Sequence, residues 1–290
     1  PEALVNPVCA TCGKPIAFRS AKHLYIAISR LEGQLQALVD AHPEWRKNAS
    51  AFTNKYIREG LRDRALTRDL EWGIPVPKAG YESKTIYIWA ENVLGYLSAS
   101  RTAAENRGAD FGALWGADAL HYYVHGKDNI PFHTIILPAL LLGSGGGWHL
   151  PDRIVSSEYQ TLEGRKISTS QNYAIWVKDL LVHYEADSIR YFFLANGPEK
   201  KDADFSWREF VHSHNGELLG GYGNFVNRSL AFIQKYLGGA VPEGTADPDI
   251  DRQLEELYPT IGQQIERGAF KVALEQKFNF VRGANKFFDA

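Results

Sequence analysis

Three short groups of residues in this chain could do chemistry. Lys166, Ser168, Thr169 and Ser170 close a polar stretch that begins at Thr161, which sets one cation among hydroxyls. On a mobile loop that combination suits a lid closing over phosphates, although so short a string also fits an ordinary polar turn. Gly126, Lys127, Asp128 and Asn129 form a second cluster, followed by Pro131 and His133. Asp128 could hold a cationic ligand group there, or it could pair with Lys127 at the surface, which is worth little. Cys9 and Cys12 form a CxxC with Gly13 behind it. Thiolates at that spacing make half of a tetrahedral zinc site, with the glycine permitting the tight turn. Two buried thiols would look the same, and His23 is the one other candidate ligand nearby.

The elements that must position these groups are readable from apolar spacing. Thr85 to Trp89 reads as a β-branched and aromatic strand, and His121 to His125 as a second. The segment from Phe132 to Leu142 is apolar almost all round, so it reads as a buried helix, with Pro131 suited to its first position. The polar cluster at Gly126 therefore falls between a strand's C-terminal end and a helix N-terminus, where open α/β sheets bind ligands. Gly143 to Gly147 lacks the spacing of a phosphate-binding loop and reads as an exposed turn before a strand around Ile154. Upstream, Asn48 is placed to cap a helix through Phe52, Tyr56 and Leu61 whose outer face carries Arg58, Arg62 and Arg64. Downstream, Val211 to Tyr236 and Pro259 to Phe288 have helical spacing, with a glycine- and proline-rich linker over 238–248. The expectation is an α/β layer followed by a helical bundle.

Composition narrows the functional classes. A net charge of -2 over 290 residues excludes a global cationic field, so any RNA contact must come from local patches. No apolar run reaches the ~18 residues of a transmembrane helix, and Pro1 to Pro7 lack the pattern of a signal peptide. With two Cys alone, a disulfide scaffold is disfavoured and a reducing, cytoplasmic setting favoured. The chain begins on Pro1 and contains no Met.

Taken in order, the segments resemble methionyl-tRNA synthetase, a class I aminoacyl-tRNA synthetase. They run from Arg64 to Asp69, Trp72 to Pro77, Ile88 and Trp89 to Tyr96, Gly126 to His133, Lys166 to Ser170, Asp204 to Trp207, and Gly223 to Arg228. The Lys166 to Ser170 string is similar to the KMSKS signature loop, with Ile167 in the Met place. The resemblance implies that Trp89 and Tyr96 wall the methionine side-chain pocket, that His133 lies in it, and that Asp128 meets the substrate ammonium. It implies an ATP site using Gly126, Lys166, Ser168 and Ser170, with Mg2+ accompanying the nucleotide. Asn224 and Arg228 match positions that read the anticodon of tRNA(Met), and Cys9 and Cys12 match half of a zinc knuckle. Two departures stand out: Thr169 occupies the place of the second loop lysine, for which Arg165 is a candidate replacement, and Leu137 stands where many relatives carry Trp.

No HxGH sequence occurs, so the resemblance is to the C-terminal two-thirds of the family, lacking the half that first grips ATP. The expected organisation is a connective-insertion remnant over 1–70, the second Rossmann half over 71–164, and an ATP-loop and stem-contact region over 165–210. An incomplete helical anticodon-binding domain would follow over 211–290. The implied activity is ATP-dependent formation of methionyl-adenylate and its transfer to tRNA(Met), with this chain inactive alone. Two alternatives are a catalytically silent tRNA-binding module and a class I synthetase for another apolar amino acid.

Overall fold

The computed structural model describes residues 7–9, 13–18, 20–245 and 247–289. It is an α/β structure in which helices predominate and the sheets are small. The strand expected near His121 spans Tyr122–Gly126 and pairs in parallel with Arg153–Ser157, Tyr122 opposite Arg153 and Gly126 opposite Ser157. A parallel pair needs a crossover, and the apolar segment supplies it. Phe132–Ile136 forms one π-helical stretch that runs directly into the α-helix Leu137–Ser144. Thr134, Leu137, Pro138, Ala139 and Leu141 are all buried, as its all-round apolarity predicts. Gly143 belongs to that helix, and the exposed turn starts only after Ser144, where Gly145 takes the left-handed conformation at φ 67°.

Two other expectations change. The strand at Thr85 is confined to Thr85–Ile86, paired with Thr67–Arg68, while Trp89 lies in the short helix Ile88–Glu91. Cross-strand bonding ends at Tyr87, whose N–H donates to Leu66 O at 2.7 Å, and the chain then turns, Ala90 N–H donating back to Tyr87 O at 2.8 Å. Asn48 is not a cap, because the helix Lys47–Arg58 begins before it and Leu61 lies beyond its end. Its side chain instead reaches across to the strand, where Nδ2 donates to Ser156 O at 3.3 Å and Oδ1 accepts from Ser156 Oγ at 2.5 Å. The core beneath the parallel pair joins Tyr123 and Ile154 to Trp45 and Ala49 from this part of the chain and to Leu137 and Leu141.

A second core of Leu162, Leu180, Phe192, Phe205 and Phe210 carries a three-stranded sheet, with Gln160–Leu162 between Arg165–Lys166 and Ala203–Phe205. Helical structure is then continuous from Trp207 to Tyr236, with π geometry over His214–Gly223. The next helix starts at Pro248, not Pro259, because Asp247 caps it by accepting from Asp249 and Ile250 N–H. Pro259 lies inside it, and Phe270–Asp289 completes the bundle. Among the described residues no helix is long and apolar enough to cross a membrane.

Candidate active site

Tyr123 and His125 share one face of the strand Tyr122–Gly126, and the crossover helix lays His133 against both. The His125 and His133 rings stack at 4.3 Å and 16°. His133 Nδ1 donates to Asn129 O at 2.9 Å, which leaves Nε2 to accept from Tyr96 Oη at 2.8 Å. Burial pushes His133 down to about 4, so the imidazole is neutral at pH 7 and keeps that acceptor. Burial also lowers His125 and raises the Tyr96 and Tyr123 phenols. The result is a cluster of uncharged, polarizable rings at the end of the strand pair, suited to a soft apolar side chain. Trp89 joins it indirectly: it stacks on Phe132 at 4.9 Å, and the two border a cleft of about 630 Å³. Tyr96 and Tyr123 border a separate cleft of about 710 Å³ along the outer edge of the strand. Tyr96 and His133 are thus brought together, whereas Trp89 faces a different hollow.

At the C-terminal end of the strand, Asp128 is fixed by a partner the sequence did not reveal, accepting a hydrogen bond from the Tyr159 hydroxyl. Lys127 lies over the Tyr159 ring at 3.8 Å and donates to Glu158 Oε2 at 2.7 Å and Asp202 Oδ1 at 2.8 Å. Those bonds, Asp202 first and then Glu158, raise the Lys127 ammonium above its ordinary value. Lys127 therefore pairs with these two carboxylates and not with Asp128. Gly126 ends the strand with extended backbone, φ -76°, and a Cβ there would meet no atom within 4 Å, so neither a left-handed turn nor a close neighbour in the fold requires a glycine.

The segment around Lys166 is more ordered than a mobile loop. Thr161 pairs with Lys166 and Leu162 with Arg165, across a two-residue turn at Glu163 and Gly164 with φ of 47° and 72°. Positive φ at both central residues marks the tight hairpin turn that matches strand twist. Asp204 braces it, accepting from Thr161 Oγ1 at 2.6 Å and Gly164 N at 2.9 Å. Beyond Lys166, Ser168 and Tyr173 exchange two 2.9 Å backbone hydrogen bonds around an exposed tip, and Ser168 Oγ lies 3.3 Å from Ser170 Oγ. Lys166 is exposed and has no ion pair among the described residues. Arg165 is occupied by stacking on Tyr173 at 4.1 Å.

Asn224 and Arg228 lie on the helix Asn224–Tyr236, but they do not stand together as a bare pair. Arg228 donates to Asn285 Oδ1 at 2.8 Å and to the Asp289 carboxylate, and it covers the Phe288 ring. Asn224 remains exposed. Near the start of the chain Cys9 N–H donates to Lys14 O and Gly13 N–H to Cys9 O. Cys12 lies outside the described residues. Among the described residues no group of three His, Cys, Asp or Glu side chains could hold a metal, so they do not by themselves make a zinc site.

The pattern of the class I tRNA synthetases (M) matches residues 1–230. The chain belongs to that family. Methionine–tRNA ligase 1 of Alkaliphilus oremlandii is 51% identical over 290 residues, covering 100% of this chain and 54% of the relative. The methionine–tRNA ligase of Bacillus anthracis is 51% identical over 292 residues with the same coverage. The structure of Mycobacterium tuberculosis methionyl-tRNA synthetase in complex with methionyl-adenylate superposes with a TM-score of 0.81 at 26% identity, covering 97% of this chain and 55% of that one. The chain spans about half the length of the curated relatives that it matches.

Proposed function

We propose that this chain carries the amino-acid pocket, ATP loop and part of the anticodon bundle of a methionine–tRNA ligase. The observation that supports this most strongly is the 51% identity with methionine–tRNA ligases along the whole chain. Methionine's carboxylate would attack the α-phosphate of ATP, forming methionyl-adenylate and releasing pyrophosphate, and the methionyl group would then pass to tRNA(Met). In this reading Tyr96 and His133 receive the thioether side chain, Trp89 borders the neighbouring cleft, and Asp128 meets the ammonium, which is costly to bury without a carboxylate. Gly126 admits the nucleotide. Lys166, Ser168 and Ser170 face the charge that builds on the departing pyrophosphate, where a positioned cation matters most. Mg2+ would arrive with the ATP phosphates. Asn224 and Arg228 would meet anticodon bases, four residues apart on one helix face. The units are those expected above: insertion remnant, second Rossmann half, ATP-loop region and bundle, in a cytoplasmic enzyme.

A second reading, a tRNA-binding piece that activates nothing by itself, is favoured by the lack of any HxGH sequence in these 290 residues. Asp128→Ala in the complete enzyme separates the two. We expect methionine-dependent pyrophosphate exchange to fall by ~10-fold or more, the scale of a lost charged hydrogen bond, with tRNA affinity unchanged. Tyr159→Phe controls for the loss of the hydroxyl that Asp128 accepts from. An unaltered methionine KM would remove Asp128 from the amino-acid site, and a loss confined to ATP would reassign it to the nucleotide. Exchange absent from the unsubstituted enzyme would favour the second reading.

A further inference from the structure

Arg46 is a half-buried cation to which no carboxylate is bonded among the described residues. Its guanidinium is spent on three backbone carbonyls from three distant segments. Nη1 donates to Ser156 O at 3.1 Å and to Glu199 O at 3.3 Å, and Nη2 donates to Gly268 O at 2.6 Å. Burial lowers the guanidinium from its ordinary value, and the nearby Glu199 charge opposes that shift. Ser156 lies near the C-terminal end of the strand Arg153–Ser157, and Gly268 is in the turn between the last two bundle helices.

A second observation shows that this turn is seated closely on the sheet. Gly268 has φ +68°, and a Cβ there would come within 2.9 Å of Val155 Cγ1. Glu199 extends the junction, since its Oε2 accepts from Lys271 N–H at 3.0 Å at the start of the final helix.

From Ser156 the polar contacts continue toward the ligand end. Asn48 Nδ2 donates to Ser156 O and, at 2.8 Å, to Glu158 Oε1. The other oxygen of Glu158 accepts from Lys127, the neighbour of Asp128. A series of hydrogen bonds thus joins the bundle turn to Lys127, the residue before Asp128. A charged hydrogen bond to a carbonyl is among the stronger ones, and each buried carbonyl would be left short if it were cut.

We propose that Arg46 is a positioning residue that ties the helical bundle to the ligand end of the parallel strands, so that the bundle's seating is transmitted through Ser156, Asn48 and Glu158 to Lys127 and Asp128. It does not touch substrate. The assignment rests on the proposed function only for what the two ends do, namely tRNA engagement at one and amino-acid activation at the other. Shared spatial intermediacy does not establish coupling, so the test must read the far end directly.

The test uses Arg46→Met and Arg46→Lys in the complete enzyme, with Arg62→Met as a surface control. Amide hydrogen exchange is followed across the whole chain. We expect Arg46→Met to speed exchange over 127–130 by roughly 3- to 30-fold, although the side-chain hydrogen bonds of Arg46 go to Ser156, Glu199 and Gly268, with Arg46→Lys in between. In aminoacylation, kcat should fall while the KM for tRNA stays close to its starting value. Loosening confined to 265–272 and 153–157, with a raised tRNA KM and intact kcat, would show a local tether and overturn the proposal. Should Arg46→Met fail to fold, Arg46→Lys carries the same comparison. If the unsubstituted enzyme shows no pyrophosphate exchange, the functional reading falls, and the exchange pattern over 127–130 still decides the coupling.

Discussion

The ring cluster at His133 and the hairpin at Lys166 present opposite kinds of site. Around His133 every ring is held by another: His125 stacks on it, Tyr96 donates to it, and Asn129 O fixes its tautomer. Around Lys166 only the backbone and the neighbours are fixed. Asp204 braces the turn and Tyr173 holds Arg165, while the lysine itself is left exposed. A site that recognises a neutral side chain gains from being built before the ligand arrives, since its selectivity lies in shape and unpaired polar groups. A cation that answers charge appearing during a reaction gains from having no competing partner beforehand. In the proposed enzyme the first site would set affinity and the second would set rate.

The sharpest way to break this contrast is Lys166→Ala. We expect adenylate formation to slow by about 10²–10³-fold with little change in ground-state ATP affinity. With Thr169 uncharged and Arg165 engaged by Tyr173, no other loop cation stands ready to take over. Pre-steady-state formation of adenylate at saturating methionine measures it, and a change in apparent ATP affinity alone would make the hairpin a binding clamp. Arg228 belongs on the prebuilt side, because Asn285 and Asp289 already orient it. Arg228→Ala should cost ~1–3 kcal/mol of discrimination for the CAU anticodon and leave adenylate formation alone. Equal losses on cognate and anticodon-swapped tRNAs would point to backbone binding.

The smallest effect tests how firmly His133 is kept neutral. Its folded pKa, about 4, lies below the ordinary 6.5. Between those values the unfolded chain binds a proton that the folded one refuses, so this contribution to stability is complete above 6.5 and is lost as pH falls toward 4. His133→Leu should flatten the pH dependence of unfolding across that window by at most ~1.4 kcal/mol per pH unit. An unchanged slope in denaturant melts would mean that His133 is not held neutral as described.

Where periodicity and burial agree, the chain could be read directly, as with Tyr122–Gly126 and the crossover helix after Pro131. The errors share a cause. Thr85 to Trp89 has strand-forming residues, but only two of them find a partner strand. Pro259 resembles a helix start, yet Asp247 and Pro248 nucleate the helix a dozen residues earlier, and its exposed middle tolerates the ring. Asn48 has the chemistry of a cap, and a strand more than a hundred residues away claims it. Of the candidate site, Asp128, His133, Tyr96 and Lys166 were nameable from motif order. Their supports were not: Tyr159, His125, Asp204 and Glu158 are meaningful only once the chain is folded, since no local spacing links them to what they hold.

The Arg46 junction has a consequence for how sequences in this lineage can drift. Every acceptor it uses is a main-chain oxygen, which any residue at positions 156, 199 or 268 would also provide. Gly268 is constrained by backbone conformation and by Val155, Ser156 by its hydroxyl's bond to Asn48, and Glu199 by its carboxylate's bond to Lys271 N–H, none of them by the arginine. A substitution at 156 or 199 would therefore call for a matching change at those partners and not at 46. Searches for paired substitutions would pass over this contact, although it joins three parts of the fold.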